Sequence, residues 1–230
     1  MPFFYFDSTM LLLIPAMILA IYAQSKVSRE YAKFSQVPSA RGVNGAQVAR
    51  FLLDRSNLGG VGVELVAGNL TDHYDPRTQA VRLSQQVYHG TSLAALGIAA
   101  HETGHAMQHA DGYFALNLRN NFFPVAQLGS NLAMPLFLIG FLFANSMYIL
   151  MDIGILLFVF AVLFQVVTLP VEFNASRRAV GMLVGEGIIQ PAEEAGIKKV
   201  LGAAALTYVA ATATAISSLM RLLLLRGRRR

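Results

Sequence analysis

The residues of this chain best suited to chemistry by type and spacing are His101-Glu102-Thr103-Gly104-His105. Two histidines four residues apart lie on one face of an α-helix, about one turn apart. Both imidazoles can therefore reach a single metal ion. Glu102, next in sequence to the first histidine, can reach a water on that ion. The pattern is HExxH, which places two zinc ligands and a general base on one helix. Five residues recur by chance, so the flanks carry weight. Ser92 to Ile98 is small, apolar and free of Pro, and Thr91 or Ser92 is placed to act as an N-cap. The spacing predicts a helix from about Ser92 to about His109. Two histidines and a glutamate on a buried helix need polar partners, and a metal ion supplies one.

A catalytic zinc needs three protein ligands and one open position. The chain has no Cys, which leaves His, Asp and Glu. The five histidines, at positions 73, 89, 101, 105 and 109, fall in one short part of the chain and favour a single polar site there. Three residues compete for the third position. His109 continues the four-residue spacing but lies about 12 Å along the helix from His101. Asp111 stands ten residues after His101, where metzincins place their third ligand, but Gln108 occupies the position at which that pattern needs Gly. Glu172, far along the chain, would complete a His₂Glu set of the thermolysin type. An acid near a helix start also has a purely structural explanation, and the residue pattern alone does not choose among the three.

The elements that must position these residues are mostly apolar. Of 230 residues, 55% are hydrophobic and 13% charged, and mean hydropathy is +0.51. Soluble domains carry about a quarter charged residues, so the chain reads as a mainly α membrane protein with a small α+β part of zincin type and three to four transmembrane helices. The formal charge of +5 does not indicate a nucleic-acid partner. The basic residues flank apolar stretches or end the chain, and no recognition motif is present.

Four regions follow in order. Residues 1–24 read as an uncleaved anchor. The apolar run Thr9 to Ala23, extended by Phe3 to Phe6, has no preceding basic residue, as a signal peptide would, and Lys26, Arg29 and Lys33 follow it. Residues 25–121 read as the catalytic part. A helix capped by Asn44 runs to Asp54 and is ended by Leu58-Gly59-Gly60. A strand follows over Val61 to Ala67, then a turn-rich loop from Asn69 to Arg77, then a second strand over Ala80 to Ser84 that leads to the HExxH helix. Residues 122–169 read as a transmembrane hairpin, since each arm has the roughly twenty apolar residues a crossing needs. Its turn at Asn145-Ser146 lacks Lys and Arg, which puts the turn outside and both flanks inside. Residues 170–230 read as a helix starting at Pro170 and carrying Glu172, then a second helix from Pro191. The last one could be a fourth span or a helix packed on the others; the Arg residues at 226 and 228–230 argue against a full crossing, and the residue pattern does not choose.

The segments LTDHYDPRTQAVRLS, AALGIAAHETGHAMQHA and TLPVEFNASRRAV resemble the YugP-like family of bacterial membrane zinc metallopeptidases, and the resemblance covers nearly the whole chain. It implies a membrane gluzincin related in plan to HtpX-type proteases, with Glu172 as third zinc ligand after His101 and His105. In that plan an acid follows the ligand Glu by four residues. Here that position is Ser176, so the acid is replaced by Ser176 or its role falls to Asn174 or Asp75.

The expected activity is that of a membrane-embedded zinc endopeptidase acting on membrane or membrane-proximal proteins, with Glu102 as general base. His73, Tyr74 and Arg177 are candidate oxyanion or substrate contacts, with Arg178, His89 and Tyr208 behind them. Val81-Arg82-Leu83 could offer a strand edge to an extended substrate. The expected partners are peptides or proteins, the lipid bilayer, and a second copy or another membrane protein. The expected location is the bacterial cytoplasmic membrane, with the site on its cytoplasmic side. The alternative is a catalytically silent scaffold that keeps its zinc. A transporter is disfavoured by the scarcity of charges within the spans.

Overall fold

The computed structural model describes residues 7–228 and, of residues 144–146, the backbone alone. Phe3 to Phe6 and the terminal Arg229 and Arg230 therefore lie outside the described residues. A 3₁₀ turn, Ser8–Leu13, leads into α1 (Ile14–Phe34). Then come α2 (Gly45–Arg55), β1 (Gly62–Val66), β2 (His73–Asp75), β3 (Ala80–Ser84), α3 (Gln85–Tyr88), α4 (Leu93–Ala110), α5 (Phe114–Leu142), α6 (Ala144–Gly185) and α7 (Pro191–Gly227). The protein is mainly α. Among the described residues, four helices are long and apolar enough to cross a membrane.

The chain divides into two compact units, one of Gln24–Asn117 with Pro170–Leu206, the other of Met1–Ala23, Leu118–Leu169 and Thr207–Arg230. In the first unit α4 is the central element. Leu93, Ala94, Leu96 and Ala100 pack with Val48 and Leu52 of α2, Ala179 and Leu183 of α6, and Ile197 and Leu201 of α7. Ala95, Ala99 and Ala106 pack on another side with Val81 and Leu83 of β3 and with Leu53. Small residues make this possible, because a helix lined with Ala and Gly can be approached closely from several directions. Each fully buried Leu contributes about 1.5–3 kcal/mol, so the two clusters fix where α4 lies. Ser92 caps it, accepting from the Ala95 N–H at 3.2 Å.

The α2 helix has the reciprocal Asn44/Gln47 capping box, with bonds of 3.0 and 2.9 Å. It ends at Arg55, one residue past the expected Asp54, and the chain turns at Asn57, before Gly59-Gly60, where φ is 58°, a left-handed conformation that Asn tolerates. The sheet differs more from expectation. Its order is β1-β3-β2, with β3 parallel to β1 and antiparallel to β2. The third strand, β2, lies inside the turn-rich loop. Val81-Arg82-Leu83 is thus the centre of the sheet and offers no free edge. Arg82 faces Glu64 on one side and His73 on the other. It bridges the strands through Glu64 at 2.9 Å and Asp75 at 2.7 Å.

This places Asp75 in the sheet, bonded to Arg77 and Arg82 rather than to His101 or His105. The Arg77 backbone N–H and the Arg82 guanidinium push its carboxyl down to about 2. A carboxyl depressed on folding stabilises the protein at pH values above its unfolded pKa, and that contribution is lost as pH falls through the folded value. Melting temperature should therefore fall more steeply between about pH 4 and pH 2 in the wild type than in Asp75→Asn. Parallel curves would show that the carboxylate contributes nothing to stability.

In the second unit α5 and α6 form the expected hairpin. A Cβ on Gly129 would come within 2.5 Å of the Leu157 carbonyl, and one on Gly154 within 2.6 Å of the Ala133 carbonyl. Such close backbone approach is how helices pack where water cannot drive association. The chain reverses through Phe143 to Met147, where the backbone leaves helical geometry at φ −131° and ψ 28°. Pro170 does not start a helix. It lies inside α6, which runs unbroken from the hairpin arm through Glu172 to Gly185. Apolar residues continue on both sides of it, and Val171, Ala175 and Ala179 are fully buried. Tertiary packing therefore outweighs the single backbone bond that Pro removes.

The last helix, α7, runs to Gly227. Its Thr-rich middle is compatible with an apolar setting because Thr212 and Thr214 donate back to the carbonyls of Tyr208 and Ala210, each at 2.9 Å. Its basic end is matched by acids, since Arg226 pairs with Asp152 and Arg228 with Asp7. Within this unit the end of α7 thus meets the hairpin arm beside its turn, and the terminal arginines do not stop α7 from running its full length.

Candidate metal centre

His101 and His105 stand one turn apart on α4, with ring centroids 4.7 Å apart. Glu172 reaches them from α6. Its Oε2 lies 3.3 Å from His101 Nε2 and 3.7 Å from His105 Nε2, and it is 4% exposed. One possible ligand atom from each of the three residues falls within 4.8 Å of the other two. Tetrahedral ligands about 2.05 Å from a zinc ion are about 3.3 Å from one another, so the spacing fits such an ion. The donor set of two imidazoles and a carboxylate also fits. The electrostatics point the same way. Burial favours the neutral form of His105, but the adjacent Glu172 and Glu102 outweigh it and hold the imidazole above the usual histidine range. The site attracts positive charge.

Gly104 makes this convergence possible. A Cβ there would come 2.8 Å from the Ala175 carbonyl oxygen on α6. With Gly, the backbones of α4 and α6 approach closely enough for Glu172 to meet both histidines. The substitution Gly104→Ala therefore sets two effects against each other. Helix propensity favours Ala by about 1 kcal/mol, while crowding a packed interface costs about 1–3 kcal/mol. The contact is with backbone, so crowding should win, and the variant should melt lower and bind zinc more weakly. A variant that melted higher with unchanged zinc affinity would refute this account of the interface.

The other ring nitrogens have partners. His101 Nδ1 lies 3.2 Å from Ser176 Oγ, so the serine four residues after Glu172 does touch a histidine. His105 Nδ1 lies 3.0 Å from the Oε1 of Gln108, a partner overlooked in the sequence although it is three residues away on the same helix face. Asn174 reaches His105 only through Gln108. Glu102 is buried, 8% exposed, on the same turn as His101.

The other expected site residues stand outside this three-residue cluster. His109 bonds to the Tyr74 hydroxyl at 2.8 Å. Asp111 ends α4 and pairs with Arg178, so neither competes with Glu172. His73 is exposed and donates to the Thr71 carbonyl at 2.7 Å. Tyr74 sits on β2, an outer strand, and is tied to the last turn of α4. Arg177 is exposed and lies about 140° round the helix from Glu172. His89 is exposed at the end of α3, and Tyr208 belongs to the other unit.

Comparison with known proteins accords with this geometry. Residues 9–227 match the model of a family described as "Putative neutral zinc metallopeptidase". The chain belongs to this family. A relative in it, "Putative membrane protease YugP" of Bacillus subtilis (strain 168), is 49% identical over 214 residues, which cover 93% of this chain and 94% of the relative. No solved structure matches. Membership joins the two halves of the description, a multi-pass membrane protein and a cluster of His101, His105 and Glu172 that could hold a metal ion.

Proposed function

We propose that this protein is a membrane-anchored zinc endopeptidase of gluzincin type that hydrolyses peptide bonds in membrane or membrane-proximal proteins. The observation that carries the reading is the meeting of Glu172 with both histidines beside a buried Glu102. A zinc ion held by His101, His105 and Glu172 would supply Lewis acidity and bring the pKa of water toward about 7. The residues do the rest. Glu102 takes the proton of the attacking water and returns it to the leaving nitrogen. With zinc on both Nε2 atoms, the Nδ1–H groups of His101 and His105 would donate to Ser176 and Gln108 and hold the two rings in place. Tyr74, on an outer strand, is the first candidate to donate to the oxyanion, and the exposed His73 beside it the first to touch substrate. Arg177 remains a candidate for contact with an incoming protein chain. The silent-scaffold alternative has no use for Glu102, since a structural zinc needs no base.

The test uses the purified full-length protein in detergent, with casein and its own chain as substrates. Cleavage should stop when a chelator removes the metal and return when zinc is restored. A fully zinc-loaded protein that cleaves neither substrate would favour the scaffold.

We further propose that the site faces the cytoplasm of a bacterial cell. Lys26, Arg29 and Lys33 follow the apolar run of α1, and Arg119 and Arg177 flank the hairpin, with no Lys or Arg between them at its turn. That imbalance follows the positive-inside rule. A Cys introduced at Ser146 should then be labelled from outside intact cells by an impermeant reagent. Labelling only after the cells are opened would reverse the orientation.

A further inference from the structure

Gln108 is fully buried, and its side-chain amide is committed at both ends. Its Nε2 donates to the Val171 carbonyl at 2.8 Å and to Asn174 Oδ1 at 2.9 Å. With the nitrogen so engaged, the atom facing His105 Nδ1 at 3.0 Å must be Oε1. An amide oxygen only accepts, so His105 must carry a proton on Nδ1, and Nε2 is the nitrogen left for a metal ion. Asn174 cannot flip either. Its Oδ1 also accepts from Arg178 Nε at 2.9 Å, and two donors converging on one atom require an oxygen there. Arg178 in turn is held through Nη1 by Asp111, which is 57% exposed. The direction of every hydrogen bond from Asp111 to His105 is thus determined.

We infer that the chain Asp111–Arg178–Asn174–Gln108 is a positioning device. It fixes the tautomer and ring orientation of His105 and so sets the metal affinity of the site. Metal-bound histidines elsewhere are commonly oriented by a carboxylate. Here Glu102 and Glu172 already place two acids at the site, and a third buried carboxylate would add like-charge repulsion and a further desolvation cost. A neutral amide relay gives the same orientation and leaves its charged pair at the surface. This inference rests on the metal-binding reading given above.

The experiment measures zinc affinity by competition with a chromophoric chelator, the visible spectrum of the cobalt-substituted protein, and the melting temperature without metal. All three are read on the full-length protein in detergent. Asn174→Leu removes the shared acceptor. It should lower zinc affinity about 10- to 100-fold and alter the cobalt bands. Asn174→Asp keeps both acceptor bonds and should recover most of that loss. Arg178→Met, nearer the surface, should weaken binding in the same direction by less, and it decides the matter should Asn174→Leu fail to fold. If Asn174→Leu and Arg178→Met bind zinc as the wild type does, with the same cobalt spectrum, the chain is packing only, whatever happens to the metal-free melting temperature. A wild type that takes up no zinc would overturn the metal-binding reading itself, and this inference with it.

Discussion

Glu102→Gln should retain its zinc and lose peptide hydrolysis by a factor of about 10² to 10⁴, the usual contribution of a positioned general base. The substitution preserves shape and one acceptor oxygen but removes the basic carboxylate, so a fall in rate with zinc retained reports on proton transfer. The position makes the test clean. Glu102 is buried on the rigid helix that carries both histidines and is not one of the three residues whose ligand atoms converge. Zinc content and casein cleavage, measured on the same preparation, separate the two roles. Unchanged cleavage would mean that the proton is taken by another group, and the proposed mechanism would be wrong. Loss of zinc together with activity would mean that Glu102 shapes the metal site rather than the reaction.

Glu172→Ala should empty the site. Two histidines on one helix hold a catalytic zinc poorly without a third ligand, and Glu172 is the residue that brings α6 to them. The wild type should melt at a higher temperature when zinc is added, because a ligand that binds only the folded state stabilises it. Glu172→Ala should show no such rise. Asp111→Ala, which leaves all three ligands in place, should remain loaded at zinc concentrations that saturate the wild type. Should Asp111→Ala lose the metal while Glu172→Ala keeps it, the third ligand would lie at the end of α4, against the geometry.

Which features could be read from the sequence follows from the range of the interactions behind them. The α4 helix and its Ser92 cap were legible because their signals lie within a few residues. The HETGH spacing is local too. Glu172 was one of three candidates on residue pattern alone, and the family resemblance singled it out. The pairing of Arg226 with Asp152, 74 residues apart, is invisible to any local pattern, and for that reason the basic tail read as an obstacle to α7. Strand β2 is three residues long and held in place by β3, so the turn formers around it dominated the reading. Pro170 is a local signal that a nonlocal one overrides, the packing of Val171, Ala175 and Ala179. Gln108 was noticed only as a departure from another family's glycine. Its i,i+3 relation to His105 could have marked it as a partner.

Among residues 93–110, Ala110 alone is exposed. An ordinary surface helix has a wet face, and random substitutions spare that face every three or four residues. Here that rhythm should vanish. In a saturation survey of the whole protein, α4 would stand out as an unbroken block of intolerance, with alanines as unforgiving as the histidines they flank. Natural drift has correspondingly little room within it. The two candidate ligands His101 and His105 are therefore carried on a stretch of chain that packing would preserve even without selection on the site.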